Sequence, residues 1–383
     1  MPPKPQNRLV PIPEFKLSHR PELDGIRGIS ILLVLGHHFT PALVPGGYLG
    51  VDIFFVLSGF LITSLLLQEW FRRRSISLRD FYVRRVLRLG PALAFYLTAL
   101  GLYAFAFLKK EHAQEIYTGI LLTLSYVYNW AIALNPALPV SVLAITWSLA
   151  IEEQFYLVWP LSLTVLLCFR VSWRGTLLLL ATGVVAVGLW RLFLWQSGAS
   201  TRRIYYATDT HADGLLVGCL VAVALAANLV PRGRVFDISL QLLAAASMLG
   251  LSYLALAVNR ASGVLYTGGF SLVVLAVGAI LLMLSVSPVG WALRFLSLRP
   301  LAWVGRISYG LYLWHWPVRG LVFHDSLHPS IKQIGVAIIL SFAAASFSFY
   351  LVEKPFLALK TRFSRAEAKA PYQDSPIVAE SSP

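Results

Sequence analysis

The chain is short of charged residues and of cysteine, and both shortages narrow the class of protein. Only 13% of its 383 residues are charged, against 57% hydrophobic, and a soluble globule of that composition would lack the polar surface to cover itself. The two cysteines, Cys168 and Cys219, both lie in apolar segments, so we expect neither a disulfide framework nor a zinc site. Residues 1–20 have no apolar core of the kind found in cleaved signal peptides.

Sequence signals for metal and nucleotide chemistry are also weak. His37 and His38 are neighbours and would point in different directions on a helix, so they do not form a metal-binding pair, and we expect no metal ion. No glycine-rich phosphate loop of the Gly-x-Gly-x-x-Gly or Walker type is present. We also find no internal repeat of fixed period, although many transporters have internal repeats.

Long apolar runs predict a membrane protein. Runs of about 18–25 residues can span a hydrocarbon core of about 30 Å. The candidate spans are 24–44, 47–69, 90–108, 115–134, 142–168, 175–195, 212–229, 236–257, 263–286, 305–324 and 333–353. If 115–134 does not cross, most of the 32 Lys and Arg lie in the cytoplasm, whereas eleven crossings divide them almost evenly. We therefore predict an all-α polytopic transmembrane helical bundle of about ten spans, with 115–134 as a re-entrant or interfacial helix.

This topology places both termini in the cytoplasm and explains the net charge of +14 without nucleic acid. The bilayer is then the main surrounding partner. We expect residues 1–20 to be a cytoplasmic N-terminal segment and 21–357 to be the transmembrane domain. Residues 358–383, which are basic and then rich in Ala, Pro and Ser, are expected to be a disordered cytoplasmic tail.

Asp24, Arg27 and His38 are ionisable residues inside the first apolar run. Arg27 and His38 are eleven residues apart, or about three helical turns, so they lie almost in line along one face of a helix. Asp24 falls within about 40° of that face. Charged groups in hydrocarbon are costly and persist mainly where they face protein or line a cavity. The spacing predicts a reactive site within the membrane, although a structural role for His38 remains an alternative.

Segment 70–89, predicted to be the first cytoplasmic loop, is rich in arginine. Such arginines can simply keep a loop in the cytoplasm and contact anionic lipid. Arg85 and Arg88 differ because they directly precede an apolar span and share a helix face at i and i+3. Two guanidinium groups so placed can bind phosphates bidentately, which predicts a cytosolic phosphate-bearing donor.

Several stretches of the chain match, in the same order, the motifs of one known family. The family's opening pattern is a basic residue, ten residues and then a histidine, which Arg27 and His38 match, and its Arg-x-x-Arg is matched by Arg85 and Arg88. The matching stretches are 22–29 (ELDGIRGI), 36–39 (GHHF), 50–62 (GVDIFFVLSGFLI), 85–91 (RVLRLGP), 146–160 (TWSLAIEEQFYLVWP), 212–218 (ADGLLVG), 307–317 (ISYGLYLWHWP) and 351–356 (LVEKPF). With these motifs the chain resembles the membrane-bound acyltransferase family 3 from about residue 20 to 358. The likeness is to members that have no fused extracytoplasmic hydrolase-like domain. His211 departs from it, standing where arginine is commoner.

The resemblance implies transfer of an acyl group, most often acetyl from acetyl-CoA, across a bacterial inner membrane to a hydroxyl of a saccharide or glycan. It implies that His38 is a general base or is itself acylated, and that Arg27 and Asp24 also belong to the catalytic site. Asp24 could orient the imidazole or pair with Arg27, and its distance of more than two turns from His38 favours the pairing with Arg27. Arg85 and Arg88 would bind the CoA phosphates. Further candidates for acceptor binding are Glu152, Glu153, Asp213 and His315; for Asp213 the alternative is a structural ion pair, and for His315 it is packing.

Two other classes of function remain open on sequence. One is a transporter or flippase of a lipid-linked saccharide, whose intramembrane charges would line a translocation path. The other is a related chain that binds without catalysing. The acceptor, the length of the acyl chain and the oligomeric state are not predicted.

Overall fold

The computed structural model describes residues 20–138, 141–323, 326 and 329–359 of the chain. All regular structure in these ranges is helical, which confirms the all-α prediction. The α-helices, in chain order, are α1 Pro21–Phe39, α2 Gly50–Arg73, α3 Leu78–Phe107, α4 Lys110–Leu124, α5 Tyr128–Leu134, α6 Trp147–Cys168, α7 Trp173–Gln196, α8 Thr201–Tyr206, α9 Asp213–Ala226, α10 Arg234–Ala257, α11 Phe270–Val286, α12 Gly290–Leu296, α13 Arg299–Arg306, α14 Ser308–Phe323 and α15 Ile331–Phe347. Most of the predicted tail and N-terminal segment lies outside the described residues.

Six helical segments of the described chain are long and apolar enough to cross a membrane. They are Gly47–Arg73, Leu78–Phe107, Trp173–Gln196, Arg234–Ala257, Leu265–Val286 and Ile331–Leu359. Each of the eleven predicted spans contains a helix, but the predicted total of about ten crossings remains a prediction. The protein is therefore a helical membrane protein whose count of spans is open.

The segment predicted to be re-entrant or interfacial does not form one straight helix. Helices α4 and α5 meet at an angle of 117°, and the backbone turns at Tyr126, whose φ is 54°. Gln154 of α6 stabilises the bend by donating from Nε2 to the Tyr126 carbonyl, at 2.7 Å, and to Asn129 Oδ1, at 3.0 Å. A bend fixed in this way suits a re-entrant or broken segment, and whether it crosses stays a prediction.

The arginine-rich stretch 70–89, predicted to connect two spans on the cytoplasmic side, is helical except at residues 74–77, and its side of the membrane stays a prediction. Helix α2 continues to Arg73 and α3 begins at Leu78. Ser77 caps α3 by accepting a hydrogen bond from the backbone N–H of Asp80 at 3.3 Å, and the helix continues through Pro91. Capping by serine stabilises a helix start, and it allows α3 to present Arg85 and Arg88 on one helical face.

Helices α2 and α9 pack closely because glycines face the neighbouring backbone. A Cβ atom on Gly59 would lie 1.9 Å from the Leu215 carbonyl oxygen, and one on Gly218 would lie 2.1 Å from that of Val56. Small residues allow helices in membranes to approach in this way. The contact fixes α2, which forms one wall of the cavity described next.

Candidate active site

A cavity of ≈ 340 Å³ lies between helices α1, α2, α3, α6 and α14. Its wall is rich in charge: the basic lining residues are Arg27, Arg85, Arg88 and Arg306, and the acidic ones are Asp24, Glu152 and Glu353. The structure thus brings together five of the site residues predicted from the sequence: Asp24, Arg27, Arg85, Arg88 and Glu152. The cavity thus has a mainly apolar wall into which seven charged side chains are set, four basic and three acidic, so it is net cationic.

Arg27 projects from α1 towards the start of α14. One of its terminal nitrogens, Nη2, donates to the Ser308 hydroxyl at 3.2 Å, and the negative charges of Asp24 and Glu152 attract it. The interaction with Asp24 agrees with an ion pair within one turn of α1. Arg27 is thereby held at the cavity wall, with Asp24 and Glu152 partly offsetting its charge.

Arg85 lies across the cavity on α3. Its guanidinium carbon is 3.8 Å from the centre of the Tyr156 ring, within the range of a cation–π contact. Its Nε is buried and has no hydrogen-bond partner in the described residues. A buried donor without a partner is costly, so this face of the cavity favours an anionic or hydrogen-bond-accepting ligand. Arg88, one turn along α3, lines the same cavity.

Glu152 and Glu153 diverge, as neighbouring residues on a helix must. Glu152 lines the cavity, and its Oε1 accepts a hydrogen bond from the Ser58 hydroxyl at 2.7 Å. Ser58 also contacts the Tyr156 hydroxyl at 2.6 Å. Glu153 is partly buried but is not among the lining residues. Only Glu152 is therefore placed to act on a molecule inside the cavity.

His38 does not line this cavity and instead pairs with His315. Nδ1 of His38 and Nε2 of His315 are 3.0 Å apart. The His38 ring also contacts Trp316, at 4.7 Å between ring centres, and Arg319 Nε donates to the His38 carbonyl at 3.0 Å. His315 is fully buried, whereas His38 is partly exposed. His37, which precedes His38 in the sequence, contacts the ring of Tyr48.

Tyr312 stands between the cavity and the two histidines. It lines the cavity, and its ring centre is 5.8 Å from that of His315. Its hydroxyl is 2.6 Å from the Ser148 hydroxyl and donates to the Ile145 carbonyl at 2.8 Å. Tyr312 therefore connects the wall of the cavity with the histidine pair.

Asp213 lies apart from the cavity, in a buried ion pair with Arg191. Asp213 Oδ2 is 2.7 Å from Arg191 Nη2, and both side chains are at most 2% exposed. Arg191 also donates to the Thr210 carbonyl at 2.7 Å and to the Ser271 hydroxyl at 2.7 Å. This arrangement matches the structural alternative for Asp213 and links α7, α9 and α11.

We expect Asp213→Ala to lower the stability of the folded protein without weakening substrate binding. Breaking a buried ion pair leaves an uncompensated charge and costs about 3–5 kcal/mol. The midpoint of thermal unfolding in detergent should fall strongly, while activity per folded molecule persists. Replacing both partners, as in Arg191→Met with Asp213→Leu, should recover much of the loss. Unchanged stability with lost activity would instead favour a role in substrate binding.

His211, where the sequence departs from the family pattern, is also buried against an acid. Its Nε2 is 3.2 Å from Asp52 Oδ1, and both side chains are at most 2% exposed. Neither ring nitrogen of His211 forms a hydrogen bond within the described residues. Its contact with Asp52 is therefore one of charge or packing. His211 lies among aromatic rings, including those of Phe55 and Trp147, and not at the cavity.

Several residues of the site were not singled out from the sequence. The most important are Tyr156, Tyr312, Arg306 and Glu353, together with Ser58, for which the sequence predicts only close helix packing. Tyr312 lies three residues before His315 in a motif already noted, and i, i+3 residues share a helix face, so that signal was available. The other four come into place through contacts between distant helices. In the described residues no group of three His, Cys, Asp or Glu could hold a metal ion.

The fold and the site define a polytopic helical membrane protein with a cationic cavity beside a histidine pair. Comparison with known proteins gives the family. The chain belongs to the acyltransferase 3 family, because the family model, described as an acyltransferase domain, matches residues 20–364. This confirms the resemblance inferred from the motifs.

The similar proteins are named as O-acetyltransferases, some of them of peptidoglycan and some of them provisionally. The chain is 34% identical over 358 residues to peptidoglycan O-acetyltransferase OatA of Listeria monocytogenes, covering 89% of this chain and 56% of that protein. It is 33% identical over 346 residues to YrhL of Bacillus subtilis, provisionally named a peptidoglycan O-acetyltransferase, covering 88% of this chain and 54% of YrhL. The chain thus spans little more than half the length of these relatives. No solved structure matches the chain significantly.

Proposed function

We propose that this chain transfers an acetyl group from acetyl-CoA to a hydroxyl of a cell-envelope saccharide. One observation carries the proposal: the cavity that holds the arginines is lined by Tyr312, whose ring centre is 5.8 Å from that of His315, the histidine that pairs with His38. Family membership supports acyl chemistry, and the names of OatA and YrhL make peptidoglycan the first acceptor to test.

The donor would enter from the cytoplasm with its phosphates against Arg85, Arg88 and Arg27. Guanidinium groups bind phosphate oxygens bidentately, and the Arg-rich start of α3 suits the cytoplasmic side of a bacterial inner membrane. A cavity of ≈ 340 Å³ is at the small end for ligand sites, so it suits the thin pantetheine arm better than the whole nucleotide. Helix α1 places His38 about 16 Å beyond Arg27, and the arm would carry the thioester along that distance.

The chemistry would take place at His38. The acceptor oxygen attacks the thioester carbonyl carbon, the C–S bond breaks, and CoA leaves as a thiol once its sulfur is protonated. His38 can act as the base that takes the hydroxyl proton, or it can first be acylated and then pass the acyl group on. Asp24 would hold Arg27 in place by their ion pair. Glu152 would interact with polar groups of the donor arm inside the cavity.

Reconstitution tests the proposal. The purified chain in liposomes, with acetyl-CoA sealed inside and soluble peptidoglycan fragments outside, should release free CoA and produce base-labile acetate on the fragments. The reversed arrangement should be less active if donor binding is confined to one side. A transporter without acyl chemistry would release no CoA in either arrangement, and that result would overturn the proposal.

Tyr312 should set which acyl groups pass from the cavity to His38. Tyr312→Ala removes the aromatic ring, and we expect the ratio of kcat/KM for butyryl-CoA to that for acetyl-CoA to rise by about 10-fold or more, the scale of discrimination by small apolar differences. Tyr309, on the same helix, also lines the cavity but has no ring contact with His315. Tyr309→Ala is the matched variant and should leave that ratio unchanged. Equal ratios in all three proteins would contradict the role of Tyr312.

A further inference from the structure

We propose that His315 fixes the protonation of His38 and accepts its Nδ1 proton during the reaction, so that the two imidazoles act as a proton relay. The proposal rests on the function proposed above and adds a role for His315. It replaces the expectation that His315 binds the acceptor.

The hydrogen bonds of His315 determine where its proton lies. Its Nδ1 is 3.0 Å from the Leu311 carbonyl oxygen, which can only accept, so Nδ1 carries the hydrogen. A neutral His315 then has its lone pair on Nε2, which is 3.0 Å from His38 Nδ1. His38 must therefore donate from Nδ1, and its lone pair lies on Nε2. Both routes of acyl transfer need a lone pair on a histidine nitrogen that is free to react.

The surroundings favour two neutral rings at rest. His315 is fully buried, and a buried charge without a partner is costly. No carboxylate of the described residues is hydrogen-bonded or ion-paired with either ring. The charged and titratable groups that act on His38 are His315, His37, Arg319 and Arg260, and positive charge near the pair further disfavours an imidazolium at rest.

Both nitrogens of His315 are used within the protein, which argues against contact with a sugar. Nδ1 bonds Leu311 and Nε2 bonds His38. The side chain is fully buried, with the ring centres of Phe39 at 6.3 Å and of Tyr312 at 5.8 Å. His315 is therefore a positioning residue that acts through His38 and does not touch the acceptor.

The protons balance in the relay. When the acceptor hydroxyl gives its proton to His38 Nε2, the proton on His38 Nδ1 moves to His315 Nε2, and His315 becomes an imidazolium held by Leu311. The acceptor oxygen bonds to the acyl carbon and the C–S bond breaks, leaving CoA thiolate. His38 Nε2–H then protonates the sulfur while His315 returns its proton to His38 Nδ1. The hydroxyl proton thus ends on CoA, and both rings return to their starting state.

Two substitutions of His315 separate the relay from a structural role. In His315→Gln the amide oxygen can still accept from His38 Nδ1–H but cannot take the proton, whereas His315→Ala removes both functions. We expect kcat to fall by about 100-fold or more in His315→Ala, the scale of acid–base catalysis, and by less in His315→Gln. The KM values for donor and acceptor should stay near those of the wild type. Trp314 precedes His315 on α14 and packs against Phe95 and Tyr96. Trp314→Phe is therefore the control and should leave kcat unchanged.

Rates in mixtures of H2O and D2O provide a readout that packing alone would not move. Two protons moving together should make the dependence of kcat on deuterium content curved in the wild type, and one proton should make it linear in His315→Gln. The relay is overturned if His315→Ala keeps kcat, if only the acceptor KM rises, or if the deuterium dependence is the same in both proteins. Absence of CoA release by the wild type would instead overturn the proposed function itself.

Discussion

His38→Ala should lower acetyl transfer by about 10²–10⁴-fold, the range that a positioned acid–base group contributes. His38 is the histidine whose Nδ1 is paired with His315, so its Nε2 is the atom available to an acceptor or thioester. The measurement is base-labile acetate formed on the acceptor per folded protein, with donor KM determined in parallel. We expect kcat to fall and the KM for the donor to change little, because the cavity that holds the arginines is left intact.

His37→Ala is the matched control for this experiment. It removes the same ring from the adjacent position on α1, where the side chain contacts Tyr48 and has no hydrogen bond to His315. Transfer should remain close to the wild-type rate. Similar losses in both variants would show that the residue pair matters for folding of α1 and would remove His38 from the chemistry.

The same proteins distinguish the two routes at His38. Incubation with radiolabelled acetyl-CoA and no acceptor should label the wild type but not His38→Ala if His38 carries the acyl group. With a general base, no protein label accumulates, while transfer still depends on His38. Either result leaves the position of the lone pair on Nε2 unchanged, because both routes use it.

Helical periodicity predicted the parts of the site that lie on one helix. Arg27 and His38 do lie on one continuous helix, α1, and Arg85 and Arg88 lie one turn apart on α3. These positions follow from 3.6 residues per turn and need no knowledge of the tertiary fold. The side of the membrane on which the arginine stretch lies follows from charge placement and not from periodicity, and it stays a prediction.

Contacts between distant helices could not be predicted in this way. The His38–His315 hydrogen bond joins residues 277 positions apart, and the contact of Ser58 with Glu152 joins residues 94 apart. Periodicity gives the face of a helix but not the helix that it meets. Asp213 illustrates the limit, since a carboxyl group in an apolar span predicts a partner without saying whether that partner is a ligand or, as here, Arg191.

Arg85→Ala and Arg88→Ala should each raise the KM for acetyl-CoA by about 10- to 100-fold, since a hydrogen bond to a charged group contributes about 1.5–3 kcal/mol. The double variant should have a higher KM for acetyl-CoA than either single variant. Arg84→Ala is the control, because Arg84 lies on the same helix but pairs with Glu69 at 3.0 Å and does not line the cavity. Steady-state kinetics with varied donor and saturating acceptor measure the effect.

A truncated donor shows whether these arginines act on phosphate. S-acetyl-pantetheine keeps the thioester and the arm but lacks the phosphates and the nucleotide. If Arg85 and Arg88 bind phosphate, the wild type should use this donor poorly, and the two variants should use it about as well as the wild type does. A penalty of equal size with both donors would mean that the arginines shape the cavity wall, for example by the stacking of Arg85 on Tyr156, and the phosphates would then have to bind elsewhere.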